Sequence, residues 1–169
     1  MMRRSKLSEP NLLPLWEDLP AFKIYLDQLL DLSNHYIEPI TGDKLTKTMM
    51  HNYTKANIII KPVDKRYQRI QLAGAIVVSL LKPIFSLDQI KAGLMLELHN
   101  DSPKIAYNRF AKLYNELIVA VAKNQDLLPT ANFAADAALI QYQAILAVIF
   151  RSQSLNTLVS HQASQTKHS

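Results

Sequence analysis

The polar side chains of residues 44 to 56 can nearly all donate a hydrogen bond: they include lysines, hydroxyls and an imidazole, and no carboxylate. Solvent-facing helices ordinarily mix both charges, because Glu–Lys pairs four residues apart stabilise a helix. The spacing of Leu45, Met49, Tyr53 and Ala56 predicts a helix with these four on its inner face. The outer face would then offer donors to an anion. Its expected members are Thr46, Lys47, Met50, His51, Thr54 and Lys55.

The positive charge of the chain is concentrated in the same stretch. Residues 44–69 hold seven lysines and arginines and one aspartate, a charge of +6 against +5 for the whole chain. Residues 17–43 hold six acidic residues and one lysine, a charge of −5. A compact basic segment is typical of a protein that docks one face on a polyanion. A lysine-rich face that is simply solvated is the alternative.

The elements around this helix are predicted from periodicity and from breakers. A helix is expected from Pro20 to about Tyr36, with Phe22 and the leucines inward, followed by a loop at Pro39 and Gly42. The β-branched run Ile58–Ile60 predicts a short strand that Pro62 turns, and hence a small two-stranded wing. Three further helices are expected: from Arg69 to about Lys82, after a cap at Ser86, and from Pro103.

The last part of the chain is predicted to be helical and to associate. Tyr107, Phe110, Tyr114, Leu117 and Val121 follow the spacing of a helix–helix seam. A final helix, about 131–158, is apolar nearly all round between Ala144 and Phe150, so it must lie between other helices or in an oligomer interface. We expect a homodimer through Phe110, Tyr114, Leu117 and Ile145.

The order of these elements resembles a known family. The phrase Leu45-Thr-Lys-Thr-Met-Met-His-Asn-Tyr-Thr-Lys55, followed by an apolar segment with proline, then Lys65-Arg66-Tyr67, then Phe85-Ser-Leu-Asp-Gln-Ile90, is similar to a bacterial family numbered 1836 among the domains of unknown function. The resemblance covers roughly residues 16–98. It implies an architecture and supplies no activity.

A more distant resemblance is to the MerR-type winged helix. Thr48-Met49 stands where that type has Thr-Ile in its recognition helix, Arg66-Tyr67 stands where its wing ends, and Ser86–Ile90 matches its next helix. The chain departs from the pattern at Met50 and His51, where the MerR type uses an arginine and a tyrosine on DNA, and at Ala56-Asn57, which replace a glycine.

Together, the residues and the resemblance predict a mainly α fold. A mobile basic lead (1–15) would precede a winged helix-turn-helix domain (16–99), a helical region (101–158) and a disordered tail (159–169). The resemblance implies a transcriptional regulator that binds double-stranded DNA, as a dimer on a two-fold operator. The expected DNA-binding residues are Thr46, Lys47, Thr48, Met50, His51, Asn52, Thr54 and Lys55 on the helix, and Lys61, Lys65 and Arg66 on the wing.

Two alternatives to a simple DNA-binding regulator remain open. The winged-helix frame could serve as a protein-interaction module that does not bind DNA, which Met50 in place of an arginine favours. Alternatively, a regulator could sense a small apolar effector in a pocket within residues 103–158.

Several other classes of function are excluded or disfavoured by composition. The chain has no cysteine, which excludes thiolate nucleophiles, disulfides and Cys-ligated metals, and only three glycines, which excludes Gly-rich phosphate loops. Its five histidines show no ligand spacing, so we expect neither an enzyme nor a metal or other cofactor. The longest apolar run is seven residues, too short for a membrane span, and a cytoplasmic protein is expected.

Overall fold

The computed structural model describes residues 9–125 and 136–166, and in them the fold is mainly helical, as predicted. A short 3₁₀ turn, Trp16–Asp18, precedes the helices. The described residues form six α-helices: α1 (Leu26–Thr41), α2 (Lys47–Lys55), α3 (Arg69–Leu81), α4 (Leu87–Glu97), α5 (Pro103–Ala122) and α6 (Asp136–Thr166).

The first helix is displaced along the chain from its predicted position. It begins at Leu26, because Ile24 is still extended and pairs with Tyr67 through two backbone hydrogen bonds of 2.9 Å. Phe22, expected inside, is 69% exposed. The helix also continues through Pro39, which was expected to end it, and stops at Gly42, whose φ of 78° suits glycine.

Helix α3 is the centre of the fold. From Leu72 to Leu80 every residue except Gly74 is buried. Gly74 allows a close approach of the 58–60 segment, since a Cβ atom there would lie 3.4 Å from Cγ1 of Ile59. Helices α1, α5 and α6 pack against α3, and α6 also contacts α4. The N-terminal and C-terminal helices therefore share one hydrophobic core.

The residues expected to form a dimer interface lie inside this core. Ile145 is fully buried, and Phe110, Tyr114 and Leu117 are each less than 9% exposed in the single chain. The apolar final helix was expected either between helices of its own chain or in an oligomer interface. In the structure it packs between helices of its own chain. With at most 8% of any of them exposed, these four side chains have little surface to offer a second copy in this conformation. A homodimer itself remains a prediction.

The two ends of the described chain also differ from expectation. Leu13 and Pro14, placed in a mobile lead, are buried against α5. Asn115 accepts from the backbone N–H of Leu13 at 2.7 Å and donates to its carbonyl at 2.9 Å. At the other end, α6 continues to Thr166 through most of the expected disordered tail. The predicted start of this helix at about 131 lies outside the described residues.

Candidate nucleic-acid interface

Helix α2 is held at its N-terminus by the turn that joins it to α1. The side chain of Asn34 on α1 brackets Leu45, accepting from its N–H at 2.7 Å and donating to its carbonyl at 3.0 Å. Thr46 is the N-cap, and its hydroxyl accepts from the N–H of Met49 at 3.3 Å. The helix therefore begins at Lys47, three residues later than predicted, and Leu45 is buried ahead of it.

The C-terminus of α2 ends in a Schellman motif. Asn57 has a φ of 55° and donates to the carbonyl of Thr54, while Ile58 donates to the carbonyl of Tyr53 at 3.0 Å. Asparagine tolerates this left-handed conformation better than most residues, so it replaces the glycine expected here from the resemblance. The ammonium of Lys91 on α4 donates to the carbonyl of Ala56 at 3.1 Å. Both ends of α2 are thus fixed to the body of the protein.

The solvent-facing side of α2 retains most of the predicted donors. Lys47, Thr48, His51, Asn52 and Lys55 are exposed, at the spacing of a single helix face. Thr46 is exposed next to them, although its hydroxyl already caps the helix. No carboxylate occurs between Lys44 and Val63.

Two predicted members of this face are buried. Met50 has no exposed surface, and Thr54 is 9% exposed with its hydroxyl donating to the carbonyl of His51 at 2.9 Å. The buried side of the helix is centred on Met50, Tyr53 and Thr54 rather than on the predicted stripe, and Leu45 is buried ahead of the helix. Met50 and Thr54 therefore cannot contact DNA in this conformation.

In place of the predicted two-stranded wing there is a tight turn. Asp64 and Lys65 have positive φ values of 52° and 58°, and Arg66 N–H donates to the carbonyl of Val63 at 2.9 Å, the pattern of a type I′ turn. The described residues contain only isolated bridges here, so a winged helix is not confirmed. The turn nevertheless presents Lys61 and Lys65 to solvent.

A groove of about 630 Å³ separates the turn from α2. Lys47, His51 and Lys55 line one side, and Lys61 and Lys65 line the other. Tyr25, Asp27 and Tyr67 complete the groove. Burial raises the pKa of the Tyr67 phenol, which therefore stays neutral.

The cations around the groove differ in how far they are engaged. Lys47 lies 3.6 Å from a carboxylate oxygen of Asp27, and Arg66 is stacked 3.7 Å from the ring centroid of Tyr25 while donating to its hydroxyl at 2.6 Å. Within the described residues, the ammonium groups of Lys55, Lys61 and Lys65 make no ion pair or hydrogen bond. These three are the cations most available to an anion.

Sequence reasoning did not identify Tyr25, Asp27 and Tyr67 as part of this region. Asp27 is exposed on α1, and no sequence signal brings it next to Lys47, 20 positions away. Tyr25 and Arg66 are also distant in sequence, and only the backbone pairing of Ile24 with Tyr67 brings them together.

Other kinds of site find no support in the part of the chain that the structure describes. No three His, Asp or Glu side chains there are grouped closely enough to hold a metal ion. Among the described helices, none has the length and apolar character needed to cross a bilayer.

Comparison with known proteins identifies a family but no characterised relative. No curated protein and no solved structure matches the chain significantly. The sequence model of one family, described as Domain of unknown function (DUF1836), matches residues 14–117. The match includes the Trp16–Asp18 turn, all of α1 to α4 and most of α5. The chain therefore belongs to the DUF1836 family.

Proposed function

We propose that this protein binds duplex DNA as a transcriptional regulator, with α2 in the major groove and the Lys61–Lys65 turn against the phosphate backbone. The observation that carries the proposal is the exposed face of α2, which has donors along its length and no carboxylate. At nine residues, α2 is about 14 Å long, and a major groove about 12 Å wide admits a helix.

The roles of the side chains follow from their positions. Lys55, Lys61 and Lys65 are exposed and unpaired, so they bind phosphates and supply affinity rather than sequence choice. Thr48, His51 and Asn52 point away from the core of the protein and can reach base edges. Lys47 must leave Asp27 to take part, and Arg66 is held by Tyr25 and fixes the turn.

Support for a DNA-binding role also comes from the distant resemblance to the MerR type. That resemblance includes Thr48 and the Ser86–Ile90 phrase, and Ser86 does cap α4. The residues expected to form a homodimer are in the chain's own core, so dimerisation through them is not part of this proposal.

The competing function is a protein-interaction module that does not bind DNA. It is favoured by Met50, which is buried at the position of a DNA-contacting arginine in the MerR type, and by the pairing of Lys47 with Asp27. The two functions differ in salt dependence, because DNA binding releases counterions.

The test is selection of genomic fragments by the purified protein, followed by fluorescence anisotropy with the enriched duplex over a range of salt concentrations. Three phosphate contacts predict a slope of log K against log salt of about −2.7. The variant Lys55→Glu with Lys61→Glu should weaken binding by about tenfold or more.

The matched control is Lys112→Glu with Lys123→Glu, which changes the net charge equally at exposed positions of α5 and just after it. Its affinity should stay within about threefold of the parent. Equal losses in both variants would mean that overall charge, not α2, binds DNA. No retention even at low salt would favour the interaction module. Circular dichroism confirms that each variant is folded.

A further inference from the structure

A second concavity, of about 240 Å³, lies among α3, α4, α5 and α6. The segment 58–60 and Trp16 close its remaining sides. Its walls therefore come from six separate parts of the chain. Their inner residues belong to the common core, whereas Ile60, Leu96 and Ile140 at the edge are about half exposed. We refer to it as the apolar pocket.

The chemistry of the apolar pocket is uniform. Its walls are aliphatic and aromatic, with Trp16, Phe85, Tyr107 and Phe110 supplying the rings. The rings of Trp16 and Tyr107 meet edge to face, with centroids 6.3 Å apart. Such a lining, with few polar groups, is typical of small-molecule sites between helices.

The polar groups at the pocket leave no free charge facing it. Glu97 is the one carboxylate in the lining, and Arg109 donates to it at 2.5 Å and to Asp101 at 2.7 Å. Gln89 uses its carbonyl oxygen to accept from Ser86 N–H at 2.9 Å. A charged ligand would find no counter-charge here to offset the loss of its hydration. An uncharged ligand would lose little hydration free energy on entering.

The two glycines in the lining behave differently. A Cβ atom at Gly74 would touch Ile59 at 3.4 Å, which explains that glycine by packing. A Cβ atom at Gly93 would meet nothing within 4 Å. Glycine inside a helix costs about 1 kcal/mol relative to alanine. At Gly93 no neighbouring atom among the described residues requires the absence of a Cβ atom, so packing does not explain this cost. The glycine leaves its backbone accessible at the pocket.

The size of the pocket limits what it can hold. A cavity of about 150 Å³ binds benzene, so a volume of 240 Å³ suits about ten non-hydrogen atoms. A partner helix, with a diameter of about 10 Å, is too wide to enter. We propose that the apolar pocket binds an uncharged aromatic or branched aliphatic small molecule of this size. The proposal is independent of DNA binding.

The protein contains its own reporter for this site, because Trp16 lines the pocket and is the only tryptophan. The probe is 1-aminonaphthalene, which is uncharged at neutral pH and accepts energy from tryptophan. Exciting Trp16 and recording probe emission should give saturable binding of one probe per chain. Unlabelled naphthalene should compete.

The decisive variant is Gly93→Leu, which fills the pocket from the wall of α4. It should weaken probe binding by about tenfold or more, whereas the matched control Gly93→Ala should stay within about threefold. Ala144→Leu fills the pocket from α6 and should act like Gly93→Leu, so the test does not depend on one variant folding. Circular dichroism and urea unfolding check the fold of each.

Three results would overturn the proposal. The first is the absence of saturable energy transfer. The second is unchanged probe binding in folded Gly93→Leu and Ala144→Leu. The third is a dimer in sedimentation velocity that both variants dissociate, which would show that a second copy of the chain covers this surface.

Discussion

The basic groove and the apolar pocket are two concavities of one small chain with opposite construction. The groove, about 630 Å³, is walled largely by long, exposed cationic side chains, of which Lys47 is paired with Asp27. The pocket, about 240 Å³, is walled by apolar side chains that range from core residues such as Ile59 and Tyr107 to the half-exposed Leu96 and Ile140. Charge acts over several ångströms and is weakened by salt, whereas apolar contact requires a close fit. The groove therefore suits an extended polyanion, and the pocket suits one compact uncharged molecule.

A single segment, residues 58–67, contributes to both concavities. Ile59 is 3% exposed and packs on Gly74, while Lys61, two positions later, is exposed at the groove. The segment is held by Gln71, whose amide donates to the carbonyl of Lys61 at 3.4 Å, and by the pairing of Tyr67 with Ile24. Neighbouring residues of one loop thus have different roles: Ile59 packs in the core and Lys61 lines the basic groove. Single substitutions can separate the two roles.

The largest expected effect is from Ile59→Ala. Removing a buried isoleucine side chain that contacts α3 should lower the free energy of unfolding by about 3 kcal/mol. Because the groove lysines are untouched, the salt slope of DNA binding by the folded fraction should be unchanged. Urea unfolding followed by circular dichroism measures the first quantity, and anisotropy measures the second.

Ile60→Ala is the matched control for this prediction. The same atoms are removed one position along, but Ile60 is 54% exposed, so the loss should be within about 0.5 kcal/mol. If Ile59→Ala and Ile60→Ala were equally stable, the segment would not be anchored on α3 as described. Residues 58–67 would then not combine a residue buried against α3 with residues exposed at the groove.

Lys65→Gly should have two smaller effects of opposite sign: it should stabilise the fold and weaken DNA binding. Lys65 has a φ of 58°, a strained conformation for a residue with a Cβ atom, and glycine relieves this strain at an entropic cost in the unfolded chain. The net gain in unfolding free energy should be about 0.5 kcal/mol. The same variant removes one groove cation, so the salt slope should become shallower by about 1.

Lys65→Ala separates the two consequences, since it removes the charge and keeps the strain. Both variants should lose the same share of DNA affinity, and only the glycine variant should be more stable than the parent. A glycine variant less stable than the parent would contradict the type I′ turn.

Sequence signals that act within one turn of helix predicted the structure well. Ser86 and Ser102 accept from backbone N–H groups three residues on, at 3.2 and 3.3 Å, and α4 and α5 begin where expected. The exposed lysines of α2 were also predicted correctly, because absence of carboxylates is visible in the sequence alone. Local capping and composition need no knowledge of neighbours.

Features set by distant parts of the chain were predicted poorly. The spacing of apolar residues in α2 allows a stripe through Met49 or one through Met50, and the way the helix packs on the rest of the protein buries the second. Ile58–Ile60 has strand propensity, but no partner strand lies beside it among the described residues. Packing of Leu13 on Asn115 joins positions 102 apart, which no local pattern reveals.

The smallest effect concerns acid stability at the N-terminal wall of the pocket. The pKa of Glu17 is lowered from 4.5 to about 2, first by the Lys104 ammonium at 2.7 Å and then by the Asn108 amide. A carboxyl with a lower pKa in the folded protein adds stability that is fully present above the unfolded pKa and is lost as pH falls through the folded one. The contribution of Glu17 should therefore be complete above pH 4.5 and disappear towards pH 2.

Lys104→Met tests this ion pair while keeping most of the side chain. Above pH 4.5 the variant should be slightly less stable than the parent, and the difference should shrink as the pH approaches 2. The fluorescence of Trp16 follows the transition, because Trp16 precedes Glu17 and its backbone N–H donates to the side-chain oxygen of Asn108 at 2.8 Å. Lys112→Met, an exposed lysine elsewhere on α5, should show a pH profile parallel to the parent. A Lys104→Met profile parallel to the parent's would mean that the Glu17–Lys104 ion pair does not contribute to the stability of the folded protein.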